Sequence, residues 1–356
     1  MKRGYIYALL AAVAVFCMGN RVANKLAVVD FDLHLYVDPS AAGGSDGRSW
    51  ANADKNLKTA LARVNSVFTV PVRIHIRSDG VTTVDNMRVN FADWTVMLPD
   101  SINRLYITTE ASDRASTAWD TTKYSLSCDF VSGGGAGVCM AIDKQYVMID
   151  GIQFRVTSQA GQNASCETVY FQAGNCRLSN FIIRGTNDTG AGGITRGISI
   201  VNGLEAYNGV IYAMGTAIGS QGIQQHVSAT LYNLTVICGG INAINLDDGV
   251  VKLRNCYGGG SWYNAINNDG ATIDQAYCAS SDSSATGTGS LTGIAVSTAN
   301  FSSVTTNSEN WRLVSGSALR NAGTDLSGDA TMPVTAGIRG NSRPSTPCIG
   351  ADEYSP

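Results

Sequence analysis

Asp247 and Asp248 are adjacent carboxylates, the kind of pair that could supply an acid and a base for cleavage of a glycosidic bond. Gly249 follows them directly. Aspartate before glycine is favoured in turns, because its side chain accepts hydrogen bonds from the backbone. The sequence therefore names Asp247 and Asp248 as candidate catalytic residues, but it favours a turn between two strands as their role.

Cysteine is a second residue type with reactive side chains, and the 356-residue chain contains nine. Cys128–Cys139 and Cys166–Cys176 are close enough in sequence to be disulfide candidates in a secreted protein. No Cys-x-x-Cys motif occurs, so we expect no zinc or thioredoxin-type site, no other metal and no cofactor. Buried free thiols are the favoured interpretation, because three cysteines fall on core-facing positions of the repeat described next: Cys176, Cys256 and Cys278.

Six segments between Val147 and Ala279 fit one template that would position such side chains. Each segment is numbered from one reference residue, its zero position. Residues two and four places before the zero position are all apolar, and those between are mostly polar, which is typical of a strand with one buried face. The alternation resumes afterwards, so each unit is predicted as strand, one-residue bend, strand. The zero positions form a predicted bend column of Gly151, Asn180, Asn208, Asn233, Asn255 and Gln275.

Asparagine and glycine suit this bend, because they enter the left-handed backbone region at the lowest cost. A buried asparagine there would find its amide partner on the asparagine of the next coil. The repeat length falls within the range of solenoids, and no helix-length segment separates the strands. We therefore predict an all-β, right-handed parallel β-helix of eight or nine coils. An ordinary β-sandwich is disfavoured, since its strands need not share a bend residue at a fixed offset.

The N-terminal residues 1–20 begin Met-Lys-Arg and continue with an apolar run from Tyr5 to Met18. A charged start followed by a short apolar run is typical of a secretory signal. A run of about 14 residues is short for a membrane span. A secretory leader is therefore favoured over a hydrophobic arm that is retained and docked in an assembly.

The predicted organisation places an N-terminal segment with a capping helix at 21–71. Leu57, Leu61 and Val64 share one face of that helix, and Asn52 or Asp54 could cap its start. Such a helix would cover the backbone that the first coil exposes. The β-helix is predicted at 72–282, where a low-complexity run ends the repeat, and an irregular C-terminal cap or tail at 283–356.

Both ends of the sequence resemble a known fold family. The residues that carry the resemblance are Tyr36-Val37-Asp38, Asp46 to Trp50, Leu57, Ala60-Leu61, Trp311 to Asp325 and Ile349 to Tyr354. They resemble the opening and closing segments of right-handed parallel β-helix repeat proteins of the pectin-lyase-like superfamily. The closing segment departs from the usual form at Ala318, where proline is usual, and at Asn321, where an acidic residue is usual.

The resemblance implies the fold and little about activity, because members range from polysaccharide-cleaving enzymes to surface proteins and phage tailspikes. It implies that a pectate-lyase-type site would have an acidic calcium cluster with an arginine or lysine base. A polygalacturonase-type site would pair aspartates with a Gly-His-Gly motif. None of His34, His75 and His226 has a glycine neighbour.

Template positions two and four places after the bend are predicted to face outward. Aromatic rings and arginine suit sugar faces and acidic glycans, whereas apolar side chains beside them suit a subunit contact, as in tailspike-like trimers. A third interpretation is that loops or the C-terminal tail cover this face, and the sequence leaves all three open. The residues concerned are Arg155, Arg184 and Tyr212 in one column, flanked by Ile182 and Val210, with Tyr257 and Tyr277 in the adjacent column.

Charge argues against one class of partner. Lys plus Arg number 25 against 28 for Asp plus Glu, and no basic run occurs, so nucleic acid is not expected.

We predict a non-catalytic, surface-displayed β-helix with a structural, adhesion or glycan-recognition role on a virion or bacterial envelope. Its expected partners are glycans or other subunits, a homotrimer included, and the membrane only through a retained leader. The alternative is a polysaccharide lyase or glycoside hydrolase.

Overall fold

The computed structural model describes residues 32–42, 46–64, 70–78, 84–85, 89–90, 104–130, 137–158, 166–187, 194–215 and 219–355. The predicted leader, residues 1–20, lies outside the described residues. Within them, no helix is long and apolar enough to cross a membrane.

Parallel strands form three faces of a solenoid. The first face has one strand from each of nine coils: β1 (Leu33–Val37), β2 (Val72–Ile76), β5 (Leu105–Thr109), β8 (Val147–Asp150), β11 (Cys176–Asn187), β13 (Leu204–Met214), β15 (Ala229–Cys238), β17 (Val250–Arg254) and β20 (Thr272–Ala276). The second face continues past the bend through the long strands β11, β13 and β15. Its other strands are β3 (Val84–Asp85), β6 (Ser125–Phe130), β9 (Gln153–Ser158), β18 (Tyr257–Gly259) and β21 (Ala279–Ser280).

The third face is a separate seven-stranded sheet. It contains β4 (Val89–Asn90), β7 (Gly137–Ile142), β10 (Cys166–Phe171), β12 (Thr195–Ile200), β14 (Gln221–Gln225), β16 (Asn242–Leu246) and β19 (Asn264–Asn268). Each coil thus contributes a strand to the faces in turn, and the pairing between coils is parallel. This topology confirms the predicted right-handed parallel β-helix. Because β1 pairs with β2, the first coil within the described residues starts at Leu33, ahead of the capping helix.

The core is a set of apolar columns inside the coils. Leu178, Ala206 and Leu231 occupy one register position on consecutive strands and are fully buried. Gly209 lies beside Phe181, and a Cβ on this glycine would overlap the phenyl ring, so the small residue makes room for the large one. The eight cysteines of the described residues are buried and unbridged, as favoured from the sequence. Burial raises the pKa of Cys176 to about 11, which keeps its thiol protonated.

The capping helix, α1, spans Leu57–Val64 and is preceded by a short 3₁₀ turn at Trp50–Asn52. Leu57, Leu61 and Val64 are buried, as their spacing predicted. The predicted cap at Asn52 or Asp54 is wrong, because Asn56 Oδ1 accepts the hydrogen bond from the Thr59 amide at 2.8 Å.

Asp54 has a different role, since its buried carboxylate pairs with Arg63 Nε at 2.8 Å. This ion pair joins the end of the helix to the segment that precedes it. A second 3₁₀ turn, at Ala111–Asp113, follows β5.

The bend between the first and second faces is a column of left-handed residues. Gly151, Asn180, Asn208, Asn233 and Asn255 all have φ between 49° and 88°. The amide of each asparagine donates to the oxygen one coil earlier, at 3.1 Å for Asn208 to Asn180, 3.2 Å for Asn233 to Asn208 and 3.0 Å for Asn255 to Asn233. The ladder starts on the Asp150 carboxylate and ends where Asn255 Oδ1 accepts from the Thr324 amide. It therefore joins the coils to one another and to the tail.

The prediction that Gln275 is the sixth member of the bend column is wrong. Gln275 pairs with Leu253 on the neighbouring strand, two residues before the bend. The left-handed residue of this coil is Tyr277, with φ of 53°. The bend of the last coil therefore lies two residues later than the template places it.

Replacing Asn233 with alanine should lower the free energy of unfolding by about 2–4 kcal/mol. The change removes buried amide hydrogen bonds, worth about 1–3 kcal/mol, and places alanine in the left-handed region at about 1–2 kcal/mol. The measurement is urea denaturation followed by circular dichroism.

Asn175 is the matched control, because it has φ of 57° but an exposed side chain. Asn175→Ala should lose only the backbone contribution, about 1–2 kcal/mol. Equal losses in the two variants would contradict a stabilising role for the amide ladder.

Candidate functional site

The outward column that the sequence predicted exists on the second face. Arg155, Arg184 and Tyr212 are register partners on β9, β11 and β13, and Ile182 pairs with Val210 beside them. The template therefore assigned the inside and outside of these strands correctly.

Of the three interpretations that the sequence left open for this face, covering by the C-terminal tail is the one that its burial supports. Ile182 and Val210 are fully buried in a second apolar cluster. The Trp311 ring packs against Tyr212 with centroids 5.6 Å apart, and Phe301 packs against Tyr257 at 5.4 Å. Burial raises the pKa of both tyrosines. The covering strands are the antiparallel pair β22 (Phe301–Ser303) and β23 (Asn310–Leu313).

The remaining residues of that predicted contact surface also have internal partners. Arg155 Nε donates to Ser127 Oγ at 3.0 Å, and Arg184 donates to Asn307 of the tail. Tyr277 is the bend residue of its coil, and its ring lies against Gly289. Tyr277 is therefore not in the column of Tyr257, whose register partner is Ala279.

Asp247 and Asp248 have different surroundings. The Asp248 carboxylate is exposed and accepts from the Gly249 amide at 2.6 Å, which is the turn role that the sequence favoured. Asp247 Oδ2 lies 2.8 Å from His226 Nδ1, and its other oxygen accepts from the Asn245 amide. Asp247 and His226 therefore form a dyad at the end of the third face, in which only one of the two predicted carboxylates takes part.

A cleft that sequence reasoning missed lies on the outside of the first face. It consists of two adjoining hollows of about 340 and 590 Å³ that share Arg114, Asn180 and Tyr207. Strands β2, β5, β8, β11 and β13 supply the floor, where Arg73, Tyr106, Met148 and Arg177 follow one another in register. The tail segment Pro333–Gly340 forms a wall of the larger hollow.

Most of the charged side chains that line the cleft, among the described residues, are cationic. Asp150 is the one carboxylate among these lining residues, against six cations: Arg73, Arg104, Arg114, Lys123, Arg177 and Arg339.

Ion pairs and aromatic rings hold several of the cations in place. Arg73 pairs with Asp32 and lies over the Tyr106 ring at 4.4 Å. Arg177 Nε donates to Glu205 at 2.9 Å. Arg114 pairs with Asp150. The guanidinium groups are therefore fixed before any ligand arrives, while roughly a third of each of these three side chains stays exposed (40%, 33% and 36% in that order).

The signal for this cleft was present in the repeat. Met148, Arg177 and Glu205 stand three places before the bend, and Asp150, Ser179 and Tyr207 one place before it. The outward positions after the bend, where the repeat pattern placed the candidate contacts, are covered by the tail. The open surface is formed by the outward positions before the bend.

Comparison with known proteins gives likenesses of fold. No family model matches the sequence, and no curated protein matches it. The structure is similar to pectate lyase Pel9A, at 13% identity and a TM-score of 0.36 over 90% of this chain and 96% of that one. It is also similar to a rhamnogalacturonan lyase, at 10% identity and a TM-score of 0.30 over 64% of this chain and 74% of that one.

Among the described residues, no group of three His, Cys, Asp or Glu side chains could hold a metal ion.

The tail is attached to the first face by a partly buried network near the cleft. Asp329 Oδ2 lies 2.6 Å from Lys252 Nζ and accepts from the Tyr232 hydroxyl at 3.0 Å. Its other oxygen accepts from the amides of Thr331 and Met332. Burial alone would raise the pKa of Asp329, but these hydrogen bonds outweigh burial and lower the pKa to about 2.

Asp329→Asn should therefore reduce stability in a pH-dependent way. A carboxyl group with a lowered pKa contributes stability above its ordinary pKa and loses it as pH falls through about 2. The free energy of unfolding should differ between wild type and variant by about 1–2 kcal/mol at neutral pH, and the difference should close toward pH 2. Urea denaturation at several pH values measures this. Asp269→Asn, which changes an exposed carboxylate, should show no such pH-dependent difference.

Proposed function

We propose that this β-helix is a non-catalytic recognition protein that binds an anionic polysaccharide in the cleft of the first face. The observation that carries the proposal is the composition of the lining, which contains six cationic side chains and one carboxylate. Arginine and lysine supply charge-assisted hydrogen bonds to carboxylate or sulfate groups. Display on a cell envelope or on a virion belongs to the same proposal.

The fixed geometry of the arginines supports binding without rearrangement. Arg73, Arg114 and Arg177 each have a carboxylate partner, yet a guanidinium has five N–H donors and keeps several for a ligand. The partners Asp32 and Glu205 lie outside the described lining of the hollows. Side chains that are already ordered lose less entropy on binding.

An extended sugar polymer fits the shape better than a nucleic acid. The cleft runs across four or more coils, and each coil adds about 4.8 Å along the solenoid, so a linear chain could contact successive strands. The chain as a whole has a net charge of −3. Outside the cleft, a duplex would therefore meet a surface without the basic excess that its phosphates require.

The double variant Arg114→Gln/Arg177→Gln tests the proposal. Each arginine should contribute about 1.5–3 kcal/mol through charge-assisted hydrogen bonds, so loss of both should weaken binding of polygalacturonate by at least about a hundredfold. Affinity is measured by titration calorimetry at about 50 mM NaCl and again at about 500 mM, where screening should weaken wild-type binding.

Arg254→Gln is the matched control. Arg254 also faces outward from the first face and pairs with an aspartate, Asp274 at 2.6 Å, but it lies outside the described lining of the cleft. Its loss should leave the affinity unchanged. The proposal fails if the double variant binds as tightly as wild type. It also fails if wild type binds none of polygalacturonate, alginate and heparin.

The His226–Asp247 dyad favours a second candidate function, cleavage of a polysaccharide. A carboxylate on Nδ1 holds the imidazole in one tautomer and leaves Nε2 to act as a general base. The side chain of His226 is 41% exposed, so a substrate could reach it. The dyad lies on the third face, away from the strands that form the cleft.

Asp247→Asn compared with Asp248→Asn tests this candidate. If the dyad is catalytic, release of new reducing ends from a polysaccharide panel should fall about a hundredfold or more in Asp247→Asn and His226→Ala. Asp248→Asn should keep full activity, because its carboxylate serves only the turn. Absence of chain cleavage by wild type would leave recognition as the function.

A further inference from the structure

Two neighbouring aromatic side chains stand out on the surface. Trp262 is 66% exposed and Tyr263 is 68% exposed, and the other exposed large apolar residues among those described are less exposed, Val201 at 38% and Val250 at 58%. We propose that Trp262 and Tyr263, together with Asn264 and Asn267, form a second glycan site that binds a neutral pyranose. This site is independent of the anionic cleft.

The platform is held by the β-helix backbone. The Trp262 amide donates to the Gly240 carbonyl at 2.9 Å, and the Tyr263 amide donates to the Ile241 carbonyl at 3.2 Å. Both residues therefore continue the pairing between coils, directly before β19. The backbone that carries the two rings is therefore ordered before a ligand binds, which lowers the entropy cost of binding.

A chain of amides begins beside the rings. Asn264 Nδ2 donates to Asn267 Oδ1 at 3.0 Å, and Asn267 Nδ2 donates to Asn245 Oδ1 at 2.7 Å. Asn245 in turn donates to the Asp247 carboxylate. The carboxylate at the end fixes the direction of every bond in the chain, so the Asn264 oxygen remains as an acceptor next to the aromatic pair. Uncharged donors and acceptors beside aromatic rings match the hydroxyl groups and the apolar ring face of a neutral sugar.

The size of the patch favours a sugar over a protein partner. An aromatic side chain has roughly 150–250 Å² of surface, of which two thirds is exposed in each ring. A stable protein interface needs about 800 Å² from each partner. Val201 and Val250 do not extend the patch, since one follows β12 and the other begins β17. One or two sugar rings would cover it.

Affinity electrophoresis in gels that contain a mixed-linkage β-glucan, a galactomannan or a dextran tests the proposal. Wild type should be retarded in at least one gel, and the retardation should persist at about 500 mM NaCl because no charge is involved. Trp262→Ala and Tyr263→Ala should each weaken binding about tenfold or more, as truncation of a central aromatic contact does. Asn267→Ala should weaken it several-fold.

Val250→Ala is the matched control, because it removes an exposed apolar side chain elsewhere and should leave retardation unchanged. The anionic-cleft variant Arg114→Gln/Arg177→Gln should also bind neutral polysaccharide normally, so failure of one site is distinguishable from failure of the other. Circular dichroism checks that each variant is folded. The proposal is overturned if no neutral polysaccharide retards wild type or if retardation survives in Trp262→Ala/Tyr263→Ala. It is also overturned if sedimentation shows a dimer that Trp262→Ala dissociates, because the occupant is then a second copy.

Discussion

A hydrogen-bonded column of side-chain amides fixes the register on which the rest of this structure depends. Four asparagines in the left-handed region bond from coil to coil between the first and second faces. In a strand, a slip of one residue would move every inward side chain to the outside. The amide column opposes that slip, because only an asparagine directly above another can complete the bond. The positions of the core, the covered face and the open cleft all follow from this alignment.

The same column shows what a repeat pattern can and cannot predict. Alternation identified the strands from Val147 to Ile237 and their buried sides, since each apolar position has a counterpart in the next coil. It failed at Gln275, because the observed alignment places this polar residue two places before the bend, where every other coil has an apolar side chain. The correct bend residue, Tyr277, belongs to a type that rarely adopts positive φ. The local sequence of this coil therefore favours the incorrect alignment.

For a different reason, the repeat could not predict whether the second face is exposed to solvent or covered. Whether outward residues such as Tyr212 meet solvent depends on contacts with residues about a hundred positions away, such as Trp311. Periodicity carries no information on such distant contacts. The tail has the apolar residues of a covering element, including Leu313 and Ile349, but these do not reveal which of three faces they will cover. The cleft was therefore accessible to sequence reasoning only as one of several outward columns.

Placement of the tail has a direct consequence for binding at the open face. The tail buries the second face and ends one side of the cleft at Pro333–Gly340, while Asp329 attaches it to Lys252 and Tyr232. The wall of the larger hollow is therefore anchored by a partly buried ion pair close to the cations that would meet a ligand. Pairing each arginine with a carboxylate lowers the net field of the cleft, but it also removes the freedom of long side chains that a ligand would otherwise have to order. Such a site gains selectivity for ligand geometry at the expense of long-range attraction, which suits recognition of a regular polymer more than capture of a small ion.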